Sequence, residues 1–342
     1  LSRVLRELPE ISPYLSHEEI EAFKRVTQVY PFSTTEYYLK IAKNSPAVRK
    51  MVIPSVEEID PEIQRHGEDD PLNEEKDSPT PYLTHRYPDR VLLVTTNYCP
   101  VLCRYCMRKR NWKKPVFTIP EKELEKAVSY IRRNSRIRDV LISGGDPLTL
   151  PVELLKELLE KLKAIDHVEV VRIGTRIPVV DPERVLDGEL LKTVERAEKV
   201  WVNTHFNHPD ELTEESKEAV RALLKCGAPV NNQTVLLKEV NDSVEVLEKL
   251  FRELQKAKVR PYYLFHCDPV KGVMHFSTPI TKGLEILREL FKRLSPLAIP
   301  YYAVDGPGGY GKVPLLPHRF RVKNGKYLFE SFNGNWFEME DR

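Results

Sequence analysis

Three cysteines fall within eight residues, Cys99-x3-Cys103-x2-Cys106, and thiolates in that number and proximity suit a soft metal centre. A structural zinc ion would ask for a fourth ligand at recognisable spacing. None is evident, because His85 lies upstream and Cys226 and Cys267 lie far downstream. A four-iron cluster on three thiolates instead leaves one iron without a protein ligand, open to a small molecule. Clusters normally take four cysteines, so the missing fourth is informative. Zinc completed by a distant ligand, and incidental cysteines, are the rival readings.

A second string able to do chemistry is Asp305-Gly-Pro-Gly-Gly-Tyr-Gly-Lys312-Val. It nearly satisfies a phosphate-binding loop, with Gly306, four residues, Gly311 and Lys312. That reading fails on Val313, where a magnesium-binding Ser or Thr should stand, and on Pro314 and Pro317, which discourage the following helix. A lysine at the end of a glycine run could instead form a Schiff base, given a lowered pKa, with pyridoxal 5'-phosphate as the expected partner. The plain alternative is a solvated loop lysine.

The elements that must position these residues show in the hydrophobic pattern. Short β-branched runs at 91–96, 139–143, 168–174, 200–206, 229–237, 260–267 and 300–305 read as strands. Between them, 120–133, 152–164, 214–226, 243–257 and 282–294 carry apolar residues at helical spacing. Such repetition implies parallel strands with right-handed crossovers. The fold expected is α/β, an incomplete (β/α)6-type TIM-like barrel with chemistry at the carboxyl ends of its strands. Before it lies an N-terminal extension over 1–89, helical at 16–29 and 36–43 and loop-like in the Pro- and acid-rich run 53–81. The expected divisions are 1–89, the barrel at 90–306, and a short C-terminal segment at 307–342 bearing the lysine.

Composition removes other classes. With 53 Lys+Arg against 51 Asp+Glu, no field strong enough to recruit nucleic acid arises. No apolar run approaches the ~18 residues of a membrane span, and the N-terminus lacks a signal peptide's apolar core. Five cysteines, three of them crowded together, do not make a secreted disulfide framework. A cytoplasmic protein without membrane or nucleic-acid partners is expected.

The cysteine loop after the first barrel strand resembles the signature of the radical S-adenosylmethionine superfamily, and Cys103-Arg-Tyr-Cys-Met-Arg108 is similar to the lysine 2,3-aminomutase family. Leu141-Ile-Ser-Gly-Gly-Asp-Pro resembles that family's turn beneath the methionyl group, where Gly144 and Gly145 would let the backbone approach a ligand and Asp146 could take an ammonium. The glycine string resembles the family's too, which implies Lys312 as the residue joined to pyridoxal phosphate. Arg86 and Tyr87 would hold the cofactor's phosphate, against the alternative of a surface turn. His205 and Gln233 would line the adenosylmethionine pocket, or be buried hydrogen-bonded residues. Arg108 would clamp a substrate carboxylate.

Asp268 and Asp305 occupy the places that bind the ε-ammonium in lysine-specific members. The resemblance therefore implies an isomerase converting L-lysine to L-β-lysine, with a [4Fe-4S] cluster, S-adenosyl-L-methionine, pyridoxal phosphate and a cellular electron donor. An aminomutase for another amino acid, of glutamate or arginine type, or one supplying β-lysine for elongation-factor modification, is the alternative. Three departures stand out: Tyr105 in place of a frequent His, Tyr310 within the glycine run, and no cysteine-bearing C-terminal extension of the kind some members use between subunits. A homo-oligomer is expected nonetheless.

Overall fold

β-Branched runs and amphipathic helices alternate along the chain, and the computed structural model, which describes residues 2–317, 319–323 and 326–339, gathers them into one nine-stranded sheet. Its strands are β1 (Leu83–Tyr87), β2 (Arg90–Thr96), β3 (Asp139–Gly144), β4 (Val170–Gly174), β5 (Val200–Thr204), β6 (Val230–Leu236), β7 (Arg260–His266), β8 (Tyr301–Gly306) and β9 (Gly311–Leu315). Helices α1 (His17–Val26), α2 (Glu36–Asn44) and α3 (Pro46–Val52) precede it. The crossovers are α4 (Glu121–Arg133), α5 (Val152–Lys163), α6 (Gly188–Ala197), α7 (Glu214–Lys225), α8 (Val244–Lys256) and α9 (Ile280–Arg293).

Strands β2 to β8 are parallel and stand side by side in chain order. Six strand–helix units followed by a seventh strand make the (β/α)6-type partial barrel expected. The edges differ from expectation: β1 and β9 add antiparallel strands at either side. The lines drawn at 89 and 306 thus cut across the sheet, since β1 comes from the N-terminal part and β9 from the C-terminal part. The edges also meet, for the Lys312 backbone N–H on β9 donates to Tyr87 Oη on β1 at 2.8 Å. A side chain rather than a strand ladder nearly closes the barrel.

Burial alternates with the two-residue strand period. Val91, Leu93, Val140, Ile142, Val171 and Ile173 are at most 3% exposed beneath the helices, whereas Leu92, Leu141 and Arg172 on the opposite face are half-buried. A filled barrel buries both faces of each strand. This concave face stays open, which leaves space for ligands along its rim.

The N-terminal helices pack onto that rim. Ser16 caps α1 in a reciprocal pair with Glu19, and α3 adds a helix not foreseen. The N–H groups of Leu102 and Arg104, inside the cysteine loop, donate to Ser33 O and Met51 O at 2.9 Å each. Helix α6 was also unforeseen: it begins on Gly188, and its start is set by Asp187, whose carboxylate caps Glu189 N and Leu190 N. After β9, β10 (Phe320–Lys323), β11 (Lys326–Glu330) and β12 (Trp336–Met339) form a separate antiparallel sheet. Among the described residues no helix is long and apolar enough to cross a membrane.

Candidate active site

The cysteine loop leaves the carboxyl end of β2 and is bolted down from beneath. Arg104 and Lys109 are completely buried, and both meet Glu58: Arg104 Nη2 and Lys109 Nζ lie 2.6 Å from Oε2. Lys109 also donates to Gly272 O at 2.7 Å and Arg104 to Pro31 O at 2.8 Å. Burial alone would raise the Glu58 carboxyl, but the two cations outweigh it and hold it at about 2, down from an ordinary 4.5. A carboxyl depressed on folding contributes stability above its unfolded value. Stability should therefore fall as pH drops from about 4.5 towards 2. Glu58→Ala leaves two buried cations unpaired, and we expect a loss of about 3–5 kcal/mol in denaturant titration. A loss below about 1 kcal/mol would contradict the role given to this triad.

The three thiols sit together above this base. Cys99 is pushed well above its ordinary range by burial and by Asp146, Cys106 and Cys103. Burial, then Cys103, lifts Cys106 to about 11. Thiols so placed keep their protons unless a metal replaces them. Two sulfurs already accept N–H groups: Cys103 Sγ from Arg176 Nη1 at 2.9 Å and Cys106 Sγ from the Arg108 amide at 3.4 Å. Arg176 also donates to Tyr38 Oη at 2.8 Å and pairs with Glu211. Tyr105 is buried, its hydroxyl held by Asn207 Nδ2 at 2.7 Å and its ring edge-on to Phe276. These contacts hold Tyr105 within the loop.

Around the rim, β3 ends in Gly144, at φ +125°, followed by Gly145. A Cβ on either would stand 2.2 Å from Thr96 O or 2.3 Å from Tyr98 O. The start of the cysteine loop, pressed against these glycines, is one constraint that excludes a side chain there. Asp146 is 4% exposed and accepts from Thr175 Oγ1 and Arg176 N at 2.6 Å and from Leu148 N at 3.1 Å. It ties the ends of β3 and β4 together, and burial raises its carboxyl to about 6. His205 bonds Gln233, and burial reinforced by Arg176 lowers it to about 4, so it is neutral near pH 7. Asn231 Nδ2 donates to Asn203 Oδ1 at 3.2 Å. Asn203 Nδ2 and Thr204 Oγ1, at the end of β5, are buried without a hydrogen-bond partner among the described residues. Such orphaned groups call for an explanation, and a polar ligand in the barrel mouth supplies one for Asn203, whereas Thr204 shares the helix-facing side with Val200 and Val202.

Lys312 does not lie in a loop. It sits on β9, directly across from Asp305 on β8, and its Nζ is 3.0 and 3.1 Å from the two Asp305 oxygens. A strand, β9, rather than a helix follows the glycine turn directly, so the phosphate-loop alternative has no structural basis. The turn before it holds Gly308, Gly309 and Gly311 at φ +71°, +90° and +83°, a region that disfavours side chains. Tyr310, at φ −67°, takes the one position there that tolerates a side chain and is 90% exposed. Asp268 is raised to about 7 by burial and then by Asp305, against the pull of Lys312. Arg86 and Tyr87 end β1 rather than forming a surface turn. Tyr87 meets Lys312, and Gly309 packs against Arg86 Nη2. Arg108 forks onto Glu74, with Nη2–Oε1 at 2.6 Å and Nε–Oε2 at 3.2 Å.

Two assemblies therefore share the mouth. Cys99, Cys103 and Cys106 form one. Among the described residues no three His, Cys, Asp or Glu surround a single-ion position. A compact zinc site gains no support, whereas a four-iron cluster sets its thiolates on separate irons. Sulfurs with N–H donors already behind them suit such a cluster. The other assembly is Arg86, Tyr87 and Lys312, a guanidinium and an amine suited to a phosphorylated aldehyde. Sequence reasoning passed over Glu58, Glu74, Asp77, Glu211 and Tyr38, whose partners lie far along the chain. The acidity of the run 53–81 was the only local sign of Glu58, Glu74 and Asp77.

Residues 93–252 match the radical SAM superfamily. The chain is similar to an Aquifex aeolicus protein named "Putative L-lysine 2,3-aminomutase", with 52% identity over 342 residues, 98% of this chain and 92% of that one. It is 43% identical over 337 residues to the L-lysine 2,3-aminomutase of Acetoanaerobium sticklandii, covering 96% of this chain and 80% of that protein. Identity to the glutamate 2,3-aminomutase of Clostridioides difficile is 39% over 331 residues, 96% and 78% of the two chains.

Proposed function

The chain belongs to the lysine 2,3-aminomutase family of the radical SAM superfamily, and we propose that it is an isomerase moving the amino group of L-lysine from C2 to C3. The observation that carries this is the acidic pair at the ends of β7 and β8. Asp305 already holds an alkylammonium, that of Lys312, through both oxygens. Asp268 is close enough for the charge of Asp305 to raise it. A substrate ε-ammonium has the same chemistry as the group now seated there. A glutamate side chain would set a third carboxylate beside two others, which is unfavourable without a cation.

Each part of the site has a task. Cys99, Cys103 and Cys106 would hold the [4Fe-4S] cluster, with His205, Gln233, Gly144, Gly145 and Asp146 shaping the S-adenosyl-L-methionine site. Lys312, Arg86 and Tyr87 would hold pyridoxal phosphate. When bound, these groups supply a carbon radical able to take an unactivated hydrogen and a conjugated system that eases nitrogen migration. Arg108 orients the substrate carboxylate by its guanidinium plane, and Asp268 with Asp305 fixes the far end. Two anchors at opposite ends leave C2 and C3 in one orientation. Lys312 must release Asp305 as substrate arrives, which couples lysine entry to the freedom of the amine.

The reduced, reconstituted protein should convert L-lysine to L-β-lysine anaerobically. No β-lysine with every cofactor present would overturn the proposal, and turnover of glutamate or arginine in its place would reassign the substrate. A pH dependence follows from Asp268. Burial and Asp305 raise its carboxyl to about 7 while the Lys312 ammonium stands beside it, and it must be ionised to hold a substrate ammonium, so kcat/KM for lysine should fall on the acid side by about tenfold per unit. Asp268→Asn should remove that limb, and a profile flat between pH 6 and 8 would contradict the assignment. We further propose a cytoplasmic homo-oligomer served by a cellular electron donor and acting on neither nucleic acid nor membrane. The exposed Phe320, Val322, Trp336 and Phe337 of the C-terminal sheet support association.

A further inference from the structure

The run before β1 grips both arginines assigned to anions. Glu74 lies along one edge of Arg108, taking Nε and Nη2, and the same carboxylate receives Arg110 Nη2 at 2.8 Å. Three residues on, Asp77 takes Arg86 Nε at 2.7 Å, and Leu72 O takes Arg86 Nη2 at 2.6 Å. The geometry repeats: the Nε edge of each guanidinium faces this run, and Nη1 is left over. Arg108 Nη1 has Ser143 Oγ at 3.4 Å, and Arg86 Nη1 has no hydrogen-bond partner among the described residues. A guanidinium presents five N–H donors in one plane, so fixing one edge aims the other.

The run is itself anchored. Gly308 N–H donates to Pro71 O at 2.7 Å, tying it to the turn that precedes Lys312. Burial costs Glu74 something, but Arg108 and then Arg110 hold its carboxyl at about 2, so it stays charged across any working pH.

We propose that segment 72–77 is a positioning element for both anion sites, with Glu74 aiming Arg108 at the substrate carboxylate and Asp77 aiming Arg86 at the cofactor phosphate. This rests on the roles given above to the two arginines. One strip of chain thereby sets the distance between substrate carboxylate and cofactor phosphate, which fixes where the reacting carbons lie.

The reconstituted holoprotein gives the test. Glu74→Gln keeps the shape and loses the charge, and should raise KM for lysine about tenfold while kcat changes far less. Its affinity for pyridoxal phosphate, followed by absorbance without turnover, should stay at the parent value. Asp77→Asn should do the reverse, weakening pyridoxal phosphate binding about tenfold while sparing KM for lysine at saturating cofactor. Each variant is read separately, so misfolding of one leaves the other to decide. A lower KM in Glu74→Gln would mean that the segment competes with substrate and would overturn the proposal, as would two variants that leave their constants unmoved. Arg108→Lys separates the layers. An unchanged KM there sinks the reading of Arg108 itself, whereas a raised KM beside a normal Glu74→Gln sinks only the positioning role.

Discussion

Cys103→Ala should yield a folded protein that holds no [4Fe-4S] cluster and cleaves no S-adenosylmethionine, yet still takes up pyridoxal phosphate. Only two thiols of the loop would remain, too few for a cluster with one open iron. The separation rests on geometry. Cys103 lies over the Glu58, Arg104 and Lys109 base, whereas Arg86, Tyr87 and Lys312 belong to the edge strands β1 and β9. The fold should survive, because Arg176, which donates to Cys103 Sγ, keeps Tyr38 and Glu211. Iron and sulfide content with absorbance near the pyridoxal band measures both halves. Loss of both together would show that the two sites depend on one another.

The second large effect is the converse. Lys312→Ala should keep the brown cluster, lose the absorbance of protein-linked pyridoxal, and reduce β-lysine formation by more than about a thousandfold, the range for removal of one essential catalytic group. It also strips the counter-charge from two carboxylates. Lys312 holds Asp268 down, so in the variant Asp268 should titrate higher and the lysine site should weaken at neutral pH. Retention of the pyridoxal band in Lys312→Ala would move the attachment to another amine and undo the assignment.

How far the sequence reached depended on the range of each interaction. The strands and most crossover helices were legible, because apolar periodicity is a local signal that the partial barrel amplifies. Helix α6 was not, since it starts on a glycine and announces itself only through Asp187. The edge strands were missed for a related reason: β1, Leu-Thr-His-Arg-Tyr, carries no β-branched run, and Pro314 sits within β9, where an edge position tolerates it. The cysteines and Lys312 stood out by spacing. Their supports did not, because Glu58 with Arg104, and Arg176 with Glu211, join residues 46 and 35 positions apart.

Two readings gained detail from neighbours. Gly144 and Gly145 are also required by Thr96 O and Tyr98 O, which press against them. Asp146 accepts from three donors of the chain itself, which hold it in place. The acidic run 53–81 carried the least specific pattern of all. It nonetheless supplies Glu58, Glu74 and Asp77, three carboxylates that hold the cations of the mouth in place.

The account turns on an iron that three cysteines leave open, and electron paramagnetic resonance of the reduced, anaerobically reconstituted protein tests it most directly. About four irons and four sulfides per chain should be found, and the reduced cluster's signal should change shape on adding S-adenosylmethionine. A signal indifferent to S-adenosylmethionine, or a fourth side chain completing the cluster in the active protein, would contradict it.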